Sequence, residues 1–285
     1  MIPCVIIHEN FNKYLEINIQ ITSKNNFVYL LGNESVKFLE KYENVEYVDI
    51  SRYMMSEKIK DYKNSFENFS NYENRYSWFT FIRTIIFYEF MKDYNLDKIF
   101  SSDSDNVLLK NINKYKFKNN TALCIPTVWE PFYFATSVHA ALISREFCKF
   151  YEELFLDIFI YKNHNKLVSE KINHHKTNPG SFCDMTFYHM INIDNQIVID
   201  NLLEPVEIGG SKYVFINNFA NGEGVLSKQQ YKVNRKGMKI TKNFELNSNS
   251  IYDKSLSEDI NIFNIHFQGK HKKYLNKKLL NRLIF

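Results

Sequence analysis

Three short apolar runs near the N-terminus alternate with polar segments, and this alternation constrains the fold more than any other feature. Residues 2–7, 27–31 and 45–50 are rich in β-branched and aromatic side chains, and each run ends in polar or turn residues. Such runs are typical of buried strands. Residues 35–42 are compatible with a helix, and we expect another helix after the first run. The alternation predicts an α/β fold with a mostly parallel sheet flanked by helices.

A longer helix precedes the segment that carries most of the chemistry. Between residues 76 and 94, apolar side chains are spaced by three and four, which places them on one helix face; they are Phe79, Ile82, Ile86 and Phe90. The next apolar run, residues 96–100, leads directly into the acidic segment 101–106. Ligands of open α/β sheets bind at the carboxyl ends of strands, so this segment is a candidate site.

The remainder of the chain continues in the same style. In chain order we predict a strand over 121–126, a helix over 144–159, a polar loop or lid over 162–179, a helix over 184–191, small β additions over 212–216 and 230–240, a strand over 260–267 and a basic amphipathic helix over 270–285. The aromatic stretch 129–134 is either core packing or an acceptor surface. We therefore expect a domain over 1–269 and a C-terminal segment over 270–285.

Composition excludes several classes of protein. The 285 residues contain 36 Lys and Arg against 32 Asp and Glu, a net charge of +4, and the pI is near 8.6. This is below the range of nucleic-acid-binding domains, so no nucleic-acid partner is expected. The four cysteines are too scattered for a metal or redox motif. No cationic leader and no apolar stretch of about 20 residues is found, which predicts a cytoplasmic protein.

Two carboxylates follow the predicted strand over 96–100. Asp103 and Asp105 are separated by one residue, and two carboxylates this close repel each other unless a cation neutralises them. Oxygen ligands suit Mg²⁺ or Mn²⁺. A calcium-binding loop is excluded because Leu108 occupies the position where such a loop requires glycine. The alternative is a solvated turn without a ligand.

A second group of polar residues follows the last predicted strand. His266 ends that strand, Gly269 comes three residues later, and Lys272 follows. An imidazole can complete a metal site, a glycine lets the backbone approach a phosphate, and an ammonium group neutralises phosphate oxygens. The alternative is a hydrogen-bonded core histidine followed by solvated lysines.

Together these two motifs resemble those of GT-A glycosyltransferases, most closely the retaining enzymes of the family 8 type. Those enzymes carry an Asp-x-Asp at the end of a central strand and a C-terminal His-x-x-Gly-x-x-Lys. The resemblance implies a GT-A (Rossmann-like) fold and a Mn²⁺ or Mg²⁺ ion held by Asp103, Asp105 and His266. It also implies that Gly269 and Lys272 face the diphosphate of a nucleotide-sugar.

The resemblance extends to other donor-binding residues. Arg83 matches the arginine that such enzymes place upstream of the acidic pair, where it contacts the sugar and phosphate of the donor. Ser104 lies between the two acids. His8 and Asn10 follow the first strand, where the base and ribose of the donor bind. The alternative for Arg83 is pairing on a helix surface.

The segment around Asp184 resembles the downstream motif in which an aspartate faces the transferred sugar. Asp184 is therefore a candidate catalytic residue together with Asp103 and Asp105; the alternative is that it caps the helix beginning there. Met185 stands where relatives often have Gln, which removes one polar group from the reaction face. The acceptor-binding residues remain unassigned.

The resemblance implies a metal-dependent hexosyltransferase of polysaccharide biosynthesis. It would move a sugar from a UDP-sugar to a glycan or lipid-linked acceptor, with retention. Alternatives are an inverting enzyme, a noncatalytic sugar- or nucleotide-binding module, and a nucleotidyltransferase, although no glycine-rich loop precedes Gly32. The basic segment 270–285 would either bring the enzyme to the inner face of a membrane or pack on its own domain.

Overall fold

Strands and helices alternate along the N-terminal half of the chain. The computed structural model describes residues 1–128, 130–218, 231–232, 250–253 and 256–276. Within these residues the strands are β1 (Cys4–His8), β2 (Val28–Gly32), β3 (Val45–Asp49), β4 (Lys98–Ser102), β5 (Asn106–Leu108), β6 (Thr121–Cys124), β7 (Ser137–Ser144), β8 (Ile199–Asn201), β9 (Val206–Ile208), β10 (Ser211–Val214), β11 (Tyr231–Lys232), β12 (Ser250–Asp253), β13 (Glu258–Ile262) and β14 (Asn264–His266). The α-helices are α1 (Lys13–Thr22), α2 (Ser51–Met54), α3 (Glu57–Ser65), α4 (Asn74–Asp93), α5 (Arg145–Phe155), α6 (Lys166–His175) and α7 (Asp184–Asp194). Short 3₁₀ helices span Glu34–Lys41, Ile112–Lys114 and Gly269–Tyr274, and a π-helical stretch, Leu156–Ile160, extends α5.

A seven-stranded sheet forms the centre of the described part of the chain. Its strand order is β3-β2-β1-β4-β7-β6-β8. β1 pairs in parallel with β2 and β4, and β7 runs antiparallel to both of its neighbours, β4 and β6. The predicted α/β fold with a mostly parallel, helix-flanked sheet is therefore confirmed. Because β1 and β4 are parallel, the loops after them meet at one edge of the sheet.

Side chains of the central strands alternate between two apolar layers. Val5 and Ile7 point into the layer that contains α4, α5 and α7, whereas Cys4 and Ile6 point into the layer that contains α1. This alternation is the period-two pattern of a strand that is buried on both faces. The buried surface of α4 is wider than the single apolar face predicted from the sequence, because α4 packs against α5 as well as against the sheet.

The polar stretch predicted as a loop or lid contains a helix instead. α6 covers residues 166–175, and its first turn is capped by Asn165, whose side chain accepts a hydrogen bond from the Val168 amide at 2.9 Å. Val168, Lys171 and His175 form its buried face. The prediction was wrong because two of these three positions carry polar residues, which hid the helical period.

The region after α7 forms a smaller sheet. β11, β12, β13, β10 and β9 lie side by side in that order, and β14 pairs separately with β5. The predicted strand over 260–267 is two strands, β13 and β14, which separate at Phe263. Of the predicted β addition over 230–240, residues 231–232 form β11 and the rest lies outside the described residues.

The predicted basic helix over 270–285 is described only to residue 276. The described part is a 3₁₀ helix that ends at Tyr274, and residues 277–285 lie outside the described residues. Membrane contact through this segment stays a prediction. Among the helices that the structure describes, none combines the length and hydropathy required to cross a bilayer.

Candidate active site

The acidic pair lies in a tight turn between β4 and β5. The Asn106 amide donates to the carbonyl oxygen of Asp103 at 2.9 Å and closes the turn. From the buried side, the Asn18 side-chain amide of α1 donates to the carbonyl oxygens of Ser104 and Asn106, each at 3.0 Å, and lies 3.2 Å from that of Asp103. α1 thus fixes the backbone of the turn, and the carboxylates of Asp103 and Asp105 project on the other side.

Strand pairing brings a histidine from near the end of the chain to this turn. β14 is antiparallel to β5 and places His266 opposite Asn106, and the Phe267 amide donates to the Asp105 carbonyl oxygen at 2.9 Å. The Nε2 atom of His266 lies 3.6 Å from Asp105 Oδ1. Its Nδ1 atom contacts the carbonyl oxygen of Asn217. A carbonyl only accepts, so Nδ1 carries a proton, and Nε2 is the ring nitrogen that faces Asp105.

Two buried asparagines join β14 to the acidic turn. The Asn264 side chain donates to Asn106 Oδ1 at 2.6 Å and to the carbonyl oxygen of Ile216 at 3.1 Å. Asn106 donates in turn to Ser102 Oγ at 3.0 Å. Because both asparagines are fully buried, losing one partner would leave polar groups unsatisfied at a cost of about 1–3 kcal/mol. The network fixes the two strands relative to each other.

Asp103, Asp105 and His266 form a cluster suited to a divalent metal ion. Each offers one ligand atom, and these atoms lie within 4.8 Å of one another. Two carboxylate oxygens and one imidazole nitrogen are common ligands for Mn²⁺, Mg²⁺ and related ions. The hydrogen bond at the far nitrogen of His266 orients the ring, as second-shell contacts do in metal sites. These three residues could therefore hold a divalent cation.

A lysine lies next to the acidic pair. Lys272 Nζ is 3.1 Å from Asp105 Oδ2 and 5.3 Å from the centre of the Tyr14 ring. Burial lowers the pKa of Lys272, but the Asp105 carboxylate outweighs burial, and the pKa lies above its usual value. Burial alone would raise the pKa of Asp105; His266 and Lys272 instead hold it well below its usual value. Gly269 begins this turn with a φ of +58°, a conformation that favours glycine.

An arginine connects the acidic turn to α7. Arg83 Nη1 donates to Asp103 Oδ1 and Arg83 Nη2 to Asp184 Oδ2, both at 2.9 Å. The Tyr188 hydroxyl donates to the same Asp184 oxygen at 3.2 Å and lies 2.8 Å from the Thr84 hydroxyl. Burial raises the pKa of Asp184, and the Arg83 charge opposes this shift. Arg83 thus forms ion pairs, but its side chain is only 13% exposed, so these pairs do not lie on a helix surface as the alternative interpretation has it.

The loop after β1 completes the rim. His8 Nε2 lies 3.3 Å from the Asn12 side-chain amide, and its ring packs edge-on against Tyr14 at 5.8 Å. Burial, followed by the Lys272 charge, lowers the pKa of His8. Asn10 is exposed and accepts a hydrogen bond from the Asn33 side chain at 3.0 Å.

One cavity of about 640 Å³ contains all the residues that the sequence singled out. The predicted residues among its lining are His8, Asn10, Arg83, Asp103, Ser104, Asp105, Asp184, His266, Gly269 and Lys272. The structure thus brings together side chains from β1, α4, the acidic turn, α7 and the segment after β14. Their roles toward a ligand are taken up below.

Sequence reasoning missed His139 in this cavity. It lies on β7, a strand that was not predicted, and its ring stacks on that of His266 at 4.2 Å with an interplanar angle of 13°. Its Nδ1 contacts the Ser137 hydroxyl, and its buried Nε2 has no hydrogen-bond partner among the described residues. Burial holds its pKa well below the usual value. The one available signal was a polar residue inside the apolar run 138–143.

Comparisons with solved structures find similar chains at low sequence identity. Mouse xyloside xylosyltransferase 1 in its apo form matches with a TM-score of 0.49 and 13% identity, over 70% of this chain and 84% of that chain. The PaToxG glycosyltransferase matches with a TM-score of 0.41 and 10% identity, over 68% of each chain. The apo form of the glycosyltransferase GlyE from Streptococcus pneumoniae TIGR4 gives 0.39 and 12%, over 71% of this chain and 46% of that chain. No family model and no curated protein matches the sequence.

Proposed function

We propose that this chain is a metal-dependent glycosyltransferase of the GT-A type. It moves a sugar from a nucleoside-diphosphate donor, a UDP-sugar, to a glycan or lipid-linked saccharide. The observation that carries this proposal is the convergence of Asp103, Asp105 and His266, whose ligand atoms lie within 4.8 Å of one another although His266 is far away in sequence. Lys272 adds a cation to the same place, at 3.1 Å from Asp105.

The residues around the acidic turn suit the departure of a nucleoside diphosphate. When the bond to the sugar breaks, negative charge develops on the diphosphate, and preorganised positive groups stabilise it. A bound Mn²⁺ or Mg²⁺ ion would act as a Lewis acid on the phosphate oxygens. Lys272 and the backbone N–H of Gly269 would contact the same diphosphate. His139 keeps the His266 ring in place by stacking.

The residues around Arg83 suit the transferred sugar. Arg83 would bind sugar and phosphate oxygens, and Asp184, fixed by Arg83 and Tyr188, would accept hydrogen bonds from sugar hydroxyls. We infer retention of configuration from the resemblance of the motifs to those of retaining enzymes of the family 8 type, because front-face retention can use the departing phosphate itself as the base and Met185 supplies none. His8, Asn10 and Ser104 are assigned to the base, the ribose and the phosphates of the donor.

A screen for donor hydrolysis tests the proposal. The chain is incubated with a panel of UDP- and GDP-sugars in Mn²⁺ or in EDTA, and release of the nucleoside diphosphate is measured. We expect Mn²⁺-dependent release from at least one UDP-sugar. Asp103→Ala, Asp105→Ala and His266→Ala are each expected to lose at least about a hundredfold in rate. Asp61→Ala, which removes an exposed carboxylate, is the matched control.

Three results would contradict the proposal. The first is the absence of release from every donor, and the second is release that EDTA does not affect. The third is wild-type turnover in all three alanine variants. Retention is tested separately by proton NMR of the first anomer formed, since a β product from an α-linked donor would show inversion.

A further inference from the structure

The cavity has two ends with different chemistry, and this inference rests on the proposed function. At the metal side, defined as Asp103, Asp105, His266 and Lys272, the groups suited to the diphosphate meet. At the sugar side, defined as Arg83, Asp184 and Tyr188, the groups suited to the transferred sugar meet. An acceptor has to reach the donor sugar from beyond the sugar side, since the nucleotide occupies the other end.

Two exposed tyrosines lie beside the cavity: Tyr76 lines it and Tyr72 contacts Tyr76. Tyr72 and Tyr76 are 52% and 58% exposed, and their ring centres are 5.4 Å apart at an interplanar angle of 71°. Tyr76 lines the cavity together with Asp184 and Met185. Neither ring belongs to the hydrophobic core clusters of the described residues, so core packing does not account for their position.

The loop that carries the pair is held in place by hydrogen bonds. The Asn68 side chain donates to the Tyr72 carbonyl oxygen at 2.9 Å, and the Ser70 and Ser77 hydroxyls are 2.6 Å apart. The Asn71 side chain lies 3.4 Å from the Gly180 carbonyl oxygen, four residues before Asp184. Tyr76 itself lies on the first turn of α4. These hydrogen bonds hold the backbone that carries the two rings in place next to the sugar side. Less conformational entropy of the protein is therefore lost when a ligand binds.

The other aromatic stretch near the cavity is already engaged. The Tyr133 hydroxyl donates to the Pro179 carbonyl oxygen at 2.7 Å, and the Phe134 ring stacks on His189 at 3.8 Å. Packing thus uses these side chains, and Trp129 of the same stretch lies outside the described residues. Among the tyrosine and phenylalanine residues that line the cavity, Tyr76 is the most exposed, and Tyr72 extends its surface outward.

We propose that Tyr72 and Tyr76 form the acceptor subsite and that they bind a neutral saccharide. One face of a sugar ring is made of C–H groups and its edge carries hydroxyls, which matches a tyrosine ring with its apolar body and polar tip. Neutrality follows from the charges nearby: Arg75 pairs with Glu9 at 3.0 Å, and Arg83 is paired twice. Arg75 is thus neutralised by Glu9, and Arg83 serves the donor and the two carboxylates, so a charged acceptor gains no free counter-charge from α4.

Saturation-transfer NMR on the full chain tests the subsite without donor or metal. The probes are cellotriose, maltotriose and xylotriose at millimolar concentration. We expect at least one probe to receive saturation on its ring C–H protons. Tyr72→Ala and Tyr76→Ala should weaken that binding by about tenfold each, as truncation of an aromatic anchor does. The phenylalanine variants keep the ring face and should retain most of the binding.

Tyr161→Ala is the matched control, because Tyr161 is 68% exposed and is neither among the residues that line the cavity nor in ring contact with Tyr76. Thermal unfolding of each variant verifies that it is folded. Two results overturn the subsite: none of the three probes binds, or the double alanine variant binds like the wild type. Once an active donor is known, transfer to a serine-containing peptide but to none of the saccharides also overturns it. Since the NMR measurement uses no donor, a failure of donor hydrolysis contradicts the proposed function alone.

Discussion

The metal side and the sugar side of the cavity are both ion-pair clusters, but they differ in how tightly they are closed. At the sugar side, Arg83 lies 2.9 Å from each of its two carboxylates, and the Asp184 side chain is only 5% exposed. At the metal side, His266 and Lys272 lie 3.6 and 3.1 Å from Asp105, and the Lys272 side chain is 38% exposed. At the sugar side both terminal nitrogens of Arg83 are paired with carboxylates, whereas the metal side is open toward the cavity.

This difference separates two uses of charge within one cavity. A closed network of buried ion pairs holds side chains in fixed positions, and removal of one member leaves an unpaired buried charge. An open cluster of carboxylates has room to bind a further cation, and binding that cation neutralises the repulsion between the carboxylates. The sugar side is therefore expected to contribute orientation and stability, and the metal side to contribute binding of the ion and charge stabilisation.

Removal of a charge from the metal side is expected to have the largest effect, and it tests whether the two sides have separate roles. Asp105→Asn keeps the size of the side chain, and we expect Mn²⁺-dependent donor hydrolysis to fall by about a thousandfold. The Mn²⁺-induced rise in Tm should disappear with it, whereas Asp184→Asn should keep that rise. Thermal unfolding with and without Mn²⁺ measures both variants. An equal loss of the Mn²⁺ effect in both would show that the two sides do not have separate roles.

The corresponding change at the sugar side is Arg83→Gln. It leaves the buried Asp184 without its cationic partner, and we expect the free energy of unfolding to fall by about 3 kcal/mol. Urea denaturation measures the change. Arg52→Gln is the matched control because Arg52 pairs with Asp93 at 2.8 Å on the surface, where such a pair contributes less than about 1 kcal/mol. Similar losses in the two variants would contradict the closed network.

A pH series examines a buried lysine of α6. Lys171 is buried over the Phe134 ring, and burial lowers its pKa to about 8. The unfolded chain therefore binds more protons than the folded one above pH 8, so this lysine makes the free energy of unfolding rise with pH. Between pH 8 and 9.5 we expect a rise of about 1.5 kcal/mol relative to Lys171→Met. The exposed Lys176→Met is the control, and an identical pH profile for Lys171→Met and wild type would contradict the burial.

The smallest expected effect comes from the hydroxyl of Tyr188. Tyr188→Phe removes its contacts with Asp184 and Thr84, and we expect a loss of about 1 kcal/mol in the free energy of unfolding. Donor hydrolysis should fall more than Mn²⁺ affinity does, because Asp184 loses one of the two groups that orient it. Calorimetric titration with Mn²⁺ measures the affinity. A loss of Mn²⁺ affinity as large as the loss of rate would show that the sides are coupled through Arg83.

The sequence predicted the positions of those candidate site residues that come directly after a strand. The strand before Asp103 and Asp105 predicted their place at the sheet edge, and the spacing of His266, Gly269 and Lys272 placed these residues after the last strand. Arg83 was predicted to bind the donor and Asp184 to face the transferred sugar as a catalytic residue, but their direct contact follows from the packing of α4 against the sheet and α7. Contacts between side chains of elements that are distant along the chain leave no pattern in the local sequence from which they could be predicted.

What the sequence did not predict is mostly buried and polar. Asn18 lies inside α1 and fixes the acidic turn, yet a single asparagine in an apolar helix gives no indication of its partner. His139 lies on the antiparallel strand β7, which the βα pattern did not include. The helix α6 was missed because Lys171 and His175 are buried polar residues on its inner face.

The pairing of β5 with β14 has a consequence for how this chain can change. Asp105 and His266 are held together by the hydrogen bond from the Phe267 amide and by a two-stranded register, and of the intervening chain His139 and Asn217 contact the His266 ring. The distance between these two side chains is therefore insulated from insertions in those intervening loops that leave His139 and Asn217 in place. New recognition loops could be grafted into that interval while the geometry at the ion stays the same.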